Sequence, residues 1–333
     1  LFRSGRTSIG NNAFFGCSSI DTLLIGSGVT SIGASAFSGC SRIHRLVIPN
    51  SVTNIGSSAF YGCLGIDSLN IGSGVTSIDN YVFFGCSGIH RLVIPSNVTS
   101  IGQEAFYGCS GIDSLLIGSG VTSIGNNAFR GCSSIHRLAI PNSVTSIGSS
   151  AFYGCSGIDS LYIGSGVQTI GSGAFRGCTG LRWLNYNSQI VPTQAFYGCT
   201  QLATLILGNT VQSIGNNAFY DCDNLLTATV NAGQLGKNAF ANCDRLVTVI
   251  LGDNLNSLGR GAFSGCFRLQ NIIFGTGIDS IPSGVFNGCV RLENMQLSNT
   301  LQYIGDSAFY GCSLIHDIMI PEGLTAIGNH AFS

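Results

Sequence analysis

The residues of this 333-residue chain that could do chemistry recur at fixed steps. Its 14 cysteines run from Cys17 to Cys312 at intervals of 23 residues, shortened to 21 only after Cys178 and Cys222. A thiol at a constant step is one structural position repeated. If the chain coils once per step, neighbouring cysteine Cα atoms lie about 5 Å apart, within disulfide range, yet their side chains run parallel in one repeated environment. A stack of small, buried, free thiols is the favoured reading, with scattered bridges between adjacent coils as the alternative. No C-x-x-C pair or His–Cys cluster supplies a tetrahedral zinc set. As framework residues, these cysteines carry no message about redox compartment.

A second row joins acid to base. Asp21, His44, Asp67, His90, Asp113, His136 and Asp159 alternate at the same step, and Arg45, Arg91 and Arg137 follow the histidines. Opposite charges on adjoining strands relieve the repulsion of a single-sign ladder, and exposed pairs of this kind add little stability. The stripe is also a candidate partner-binding surface. A flat row lacks the enclosing donors of a metal site. Ser68, Ser114 and Ser160 beside the aspartates, with a histidine one coil away, supply the components of a nucleophilic triad. Three copies on an open surface, without a strained nucleophile turn or an oxyanion hole, do not assemble one. The recurrent G-S-G-V-T-S-I-G lacks the spacing and following helix of a dinucleotide loop, and there is no P-loop or H-E-x-x-H. No catalytic residue, metal or cofactor is assigned.

Positioning these rows requires a coil. Phenylalanine keeps the same beat from Phe14 to Phe332, and the chain aligns as C-S-x-[IL]-x-x-L-x-I-[GP]-x-x-V-T-x-I-G-x-x-A-F-x-G. A period of this length sustained throughout predicts a solenoid in which each unit buries its apolar face against its neighbours. Leu23 and Ile25 alternate as a strand requires, and Gly26, or Pro49, Pro95 and Pro141 in its place, ends the strand. Val29 and Ile32 point inward around Thr30 as a second extended piece. The A-F-x-G-C segment is too short for a full helix, so a single 3₁₀ or α turn is expected to insert Phe37. The expectation is one solenoid domain over 1–333 with about 14 coils of 23 residues. It is mostly β within the α/β class, with a parallel sheet on its concave face and short extended pieces and turns on its convex side. From 18 to about 177 a 46-residue double repeat alternates Ile-Asp and His-Arg coils, and the coils diverge over 178–333. The two short coils drop residues around the V-T-x-I-G segment, which should tighten the convex side. Both ends fall mid-coil, at Arg6–Phe14 and His330–Phe332, so the open coils need cover from further chain or from end-to-end stacking.

Composition narrows the function. Apolar residues make up 44%, enough for a substantial core, whereas charged residues make up 9% against roughly 25% in an average domain. The signs nearly cancel, 14 against 15, so no positive field is available for nucleic acid or an anionic membrane surface. No apolar run approaches the ~20 residues of a membrane span, and the mean hydropathy of +0.37 reflects burial instead. Leu1 is not an initiator methionine, so the missing targeting segment says nothing about the whole protein.

Segments such as Val144-Thr-Ser-Ile-Gly-Ser-Ser-Ala-Phe-Tyr-Gly-Cys155, repeated over the whole chain, resemble the BspA-like class of leucine-rich repeats found in surface proteins of bacteria and protists. Gly28, Ser51, Gly74, Asn97 and Gly120 stand where a standard leucine-rich repeat carries its asparagine ladder, a departure the class tolerates. The resemblance implies a non-enzymatic, adhesive module outside the cell or on its surface. Its partner would be a protein, either a host or matrix protein or another copy of itself. The fifth strand position supports a binding face, being apolar at Leu24, Val47, Val93, Leu116, Ile206, Ile250, Ile273 and Met319. Exposed apolar stripes mark binding surfaces, although β-branched residues also favour strand pairing. Tyr162, Arg182, Trp183 and Asn185 should cluster near the first short coil and unite residue types common in interface hot spots. The alternative is a structural subunit assembling through open coil ends or the sheet face. A remoter one is ice or glycan binding through the hydroxyl ladder of Thr7, Thr30, Thr53, Thr76, Thr99, Thr122 and Thr145. Asn97-Val98-Thr99 is a glycosylation sequon in a turn.

Overall fold

A computed structural model describes residues 7–333; Arg6, where the first partial coil begins, lies outside the described residues. The chain is a parallel β-solenoid of leucine-rich-repeat type, dividing into two compact units, Leu1–Cys178 and Thr179–Ser333. The boundary falls where the doubled repeats give way to the diverged ones.

In the first unit each coil from Cys40 onward contributes one four-residue and one two-residue strand, while the coil before it makes only a bridge from Thr22 to Arg45 and the short strand Ser31–Ile32. The long strands, such as Arg45–Ile48, Ser68–Ile71 and Arg91–Ile94, pair in parallel. Their register is one coil, setting Arg45 beside Ser68, Leu46 beside Leu69, Val47 beside Asn70 and Ile48 beside Ile71. The short strands Ser77–Ile78, Ser100–Ile101, Ser123–Ile124 and Ser146–Ile147 form a second parallel ladder at the same offset. Identical residues therefore stack on identical residues, which is how a repeated sequence becomes a repeated structure.

The A-F-x-G-C segment corrects the expected helical turn. No α- or 3₁₀-helix forms among the described residues. Instead the chain makes successive single turns, with Ala59 N–H donating to Gly56, Tyr61 to Ser58 and Cys63 to Phe60 at 3.0–3.2 Å. The intervening N–H groups of Ser58, Phe60 and Gly62 donate to Asn80, Val82 and Phe84 of the following coil at 2.7–3.0 Å. Ser58 and Gly62 adopt φ of 59° and 67°, and these left-handed residues prevent the run from continuing as a helix. Backbone demand is met between coils on this side as it is on the strand sides. The usual leucine-rich-repeat contrast, narrow strands against wide helices, is absent within the unit.

The core is built from columns. Ring centroids of Phe37, Phe60, Phe83, Phe106, Phe129 and Phe152 follow one another at 5.2–5.5 Å with nearly parallel planes. Each of these rings is fully buried, worth roughly 1.5–3 kcal/mol of hydrophobic transfer apiece. Beside them runs the thiol column. Gly120 shows why the turn alternates glycine with Ser or Asn: a Cβ there would collide with the Ser96 carbonyl oxygen.

The second unit repeats this plan with long strands from Trp183–Tyr186 to Asn294–Gln296. In its first short coil the deletion removes the turn that carries the buried valine elsewhere. Tyr186 fills that volume, fully buried, packing edge-on against Phe196 at 5.8 Å and donating its hydroxyl to the Ile190 carbonyl. Burial pushes the Tyr186 phenol well above its ordinary pKa. In the second short coil the buried Ala232 takes the corresponding place.

Candidate functional site

Strand alternation decides which side chains reach solvent. In Arg45–Ile48, Leu46 and Ile48 are buried while Arg45 and Val47 are exposed, and the pattern recurs in Arg91–Ile94 and Arg137–Ile140. The outer face of the first unit therefore carries three columns: Asp alternating with His, Arg alternating with Thr or Ser, and the fifth-position side chains.

The Asp/His column begins just before each strand and is tied to the ladder. Asp67, Asp113 and Asp159 donate their backbone N–H groups to His44, His90 and His136 at 2.9 Å. His44 Nδ1 lies 3.7 Å from Asp67 Oδ2, with both side chains more than half exposed. In the Arg column, register places Ser68 and Ser114 on either side of Arg91. Successive guanidiniums are thus two ladder steps apart, about 9.6 Å, a separation at which solvent and salt largely screen their repulsion. In the ladder Ser68 lies between two arginine positions.

The fifth-position column exposes Leu24 at 66%, Leu116 at 59% and Tyr162 at 54%, with Val47 and Val93 near 40%. Between columns lie two depressions of the same construction, 46 residues apart. One, of about 600 Å³, is lined by Asp21, Leu24, His44, Arg45 and Val47. The other, of about 500 Å³, is lined by Asp67, Asn70, His90, Arg91 and Val93.

Of the expected central group, Tyr162 belongs to the first unit and Arg182, Trp183 and Asn185 to the second. Trp183 and Asn185 share one face of strand Trp183–Tyr186, with Arg182 immediately before it. Arg182 and Trp183 are exposed, whereas Asn185 is half-buried and accepts a 3.1 Å bond from Asn187 Nδ2. Asn97 is half-buried, and its side-chain nitrogen donates to the Val75 carbonyl, so the atom a glycan would occupy is tied to the preceding coil.

The two other chemical rows are turned to structure. All 14 cysteines are free. Cys63 Sγ donates to the Phe37 carbonyl at 3.1 Å and Cys86 to Phe60 at 3.2 Å, and the bond recurs along the column. Burial raises these thiols, with Cys63, Cys109 and Cys155 pushed up to about 12, so the reactive thiolate is suppressed at neutral pH. In the threonine ladder, Thr30, Thr99, Thr122 and Thr145 each donate Oγ1 to the threonine carbonyl one coil back at 2.8–3.1 Å. Their protons serve the backbone.

Sequence reading missed a ridge on the turn side. Tyr61, Phe84 and Tyr107 stack at 4.6 and 4.7 Å, and Arg130 lies between Tyr107 and Tyr153, 5.8 and 4.4 Å from their centroids. Arg176 follows 5.8 Å beyond Tyr153. The signal was present as an aromatic or arginine after each core phenylalanine from Phe60 to Phe175.

Comparison with known proteins follows the fold. A family model described as BspA type leucine-rich repeat region matches residues 7–136, 122–234 and 226–333. No functionally curated protein matches in sequence. Among solved structures, a leucine-rich repeat protein from Bacteroides ovatus shares 28% identity over 87% of this chain and 75% of its own, with a TM-score of 0.78. A leucine-rich cell surface protein from Faecalibacterium prausnitzii shares 24% identity over 97% and 80%, with a TM-score of 0.48. A Treponema pallidum leucine-rich repeat protein shares 26% over 54% and 78%, with a TM-score of 0.42.

Proposed function

The chain belongs to the BspA-type leucine-rich-repeat family, and from that premise we propose that it is a non-enzymatic protein-recognition module of an extracellular or surface-displayed protein. Its partner is contacted through the outer face of the long-strand sheet. The observation that carries this reading is the run of exposed apolar side chains at the fifth strand position, bordered by exposed Asp, His and Arg. An apolar centre with a charged margin is the anatomy of a recognition patch, and contiguous apolar exposure is otherwise costly to solubility. The contact residues assigned are His44, Arg45, Asp67, His90, Arg91, Asp113, His136 and Arg137 on the charged columns. Tyr162 on the first unit, and Arg182, Trp183 and Asn185 on the second, supply aromatic and polar anchors, each on its own unit. Family membership supports placement outside the cell, and no helix among the described residues is long and apolar enough to span a membrane.

The test is surface plasmon resonance of the full chain against purified matrix and serum glycoproteins. At least one should bind with micromolar or tighter Kd. The paired substitutions Leu24→Asp with Leu116→Asp, and Tyr162→Ala with Trp183→Ala, should each weaken that binding at least tenfold. A chain that binds neither the panel nor a second copy of itself, or a binding indifferent to both pairs, overturns the reading.

A further inference from the structure

The outer face of the first unit is complementary to itself. We propose that its partner is a second copy of this chain, docked face to face about a two-fold axis that runs parallel to the strands and passes between two neighbouring coils. The proposal rests on the sheet face being the recognition surface and names its occupant.

The charge pattern selects this axis. Rotation about a line parallel to the strands reverses the order of the coils while keeping each column opposite its own counterpart. Because Asp coils and His-Arg coils alternate at every 23-residue step, an axis between two coils brings every Asp coil against a His-Arg coil. An axis through a coil sets like against like, as does a two-fold along the stack. With the axis between the Asp67 and His90 coils, Asp67 meets His90 of the second copy with Arg91 one residue along, Arg45 meets Ser114 beside Asp113, and Asp21 meets His136 beside Arg137, so each carboxylate comes within reach of an arginine, each contact made twice by symmetry. These side chains are exposed. The His44–Asp67 approach of 3.7 Å within one face is loose, leaving capacity for a tighter bidentate arginine–carboxylate partner.

The apolar column meets itself in the same arrangement. Val47 faces Leu116 and Asn70 faces Val93, so Leu116, among the most exposed apolar residues of the unit, lies over the depression bounded by His44, Arg45 and Val47. Geometry permits the contact because the coils are hydrogen-bonded on the turn side as well as the strand side, so no wider opposite side bows the face. Six coils at ~4.8 Å by five strand residues at ~3.3 Å offer about 500 Å² per copy. The total of about 1,000 Å² is the lower edge of specific interfaces, which predicts a weak, concentration-dependent dimer that salt loosens.

Sedimentation velocity of the full chain from 1 to 200 μM tests this, at about 50 mM and 500 mM salt. The expected result is a monomer–dimer equilibrium with Kd in the tens of micromolar at low salt, weakened at least tenfold at high salt. Asp67→Arg with Asp113→Arg, and Arg45→Asp with Arg91→Asp, should each weaken self-association at least tenfold while circular dichroism confirms the fold. Mixing the two variants should restore dimer to within threefold of native, because the introduced arginines then face the introduced aspartates. A monomer throughout, a dimer insensitive to either variant, or a mixture without rescue overturns the proposal. If the native chain stays monomeric while Leu24→Asp with Leu116→Asp still abolishes binding to a panel glycoprotein, only the second-copy partner falls. If that pair also changes nothing, the sheet-face reading falls with it.

Discussion

The two units repeat the same plan of coil and differ in how their faces spend polar side chains. In the first, Asp, His and Arg point outward in alternation, and the one close approach of opposite charges among the described residues, His44 to Asp67, is 3.7 Å. In the second, Thr204, Thr227, Thr248, Asn271 and Asn294 occupy the strand column that holds Arg and Ser in the first. There Asn294 Nδ2 donates to Asn271 Oδ1 at 2.8 Å and Asn271 to Thr248 at 3.4 Å, while Asn224 bonds Gln201 and Arg245 bonds Asn224. Neutral amides stacked on themselves satisfy one another along the ladder. Charges stacked this way repel unless they alternate, and alternation leaves each of them able to serve an outside partner. The second unit shows the cost where alternation fails: Asp223 is raised by burial and then by Asp244 and Asp221 beside it. The difference is between a face that is chemically complete and one that is not.

The largest expected effect should leave the units alike, because each carries a column of buried thiols. Burial raises thiols in both, with Cys109 and Cys155 in the first and Cys312 in the second pushed up to about 12. A thiol that holds its proton more tightly when folded contributes fully below its unfolded value near 8.5. That contribution is lost as pH rises through the folded value. Calorimetry should show the melting temperature nearly flat from pH 6 to 8 and falling steeply between pH 9 and 12 as one transition. Two separated alkaline transitions would break the claim that the two units have cores of the same kind.

A smaller and local effect tests the same point. Phe129→Ala in the first unit and Phe263→Ala in the second each empty a fully buried ring from the stack and should each cost about 3–5 kcal/mol in urea unfolding. Costs that differ severalfold would mean the diverged coils pack differently. The smallest effect separates the faces: Asn271→Ala should cost about 1 kcal/mol by removing ladder bonds, whereas Ser114→Ala should stay within about 0.5 kcal/mol. Equal costs would remove the contrast between a complete and an incomplete face.

Much of this was legible in the residues. The 23-residue step fixed coil length, and the Leu46/Ile48 alternation fixed which side is buried. The buried free thiols followed from parallel side chains in one repeated environment. Other features were not legible, for reasons of geometry. The A-F-x-G-C segment looks like a helical turn because its length and closing glycine suit one. Left-handed serines such as Ser58 depend on hydrogen bonds to the next coil, which no local pattern records. Asn97 reads as an accessible sequon, yet it bonds Val75, 22 residues back. Tyr186 reads as a strand residue, and only the two-residue deletion opposite creates the volume it fills.

By itself the sequence determined the period, the direction of the strand side chains relative to the core, and the alternation of charge, because each of these is a property of one coil multiplied. The tertiary structure alone decided how much polar capacity remains after the coils are stacked. That capacity depends on distances between residues a full turn apart: the threonine protons and the Asn97 amide are consumed by the neighbouring coil, while the Asp and Arg columns still face solvent.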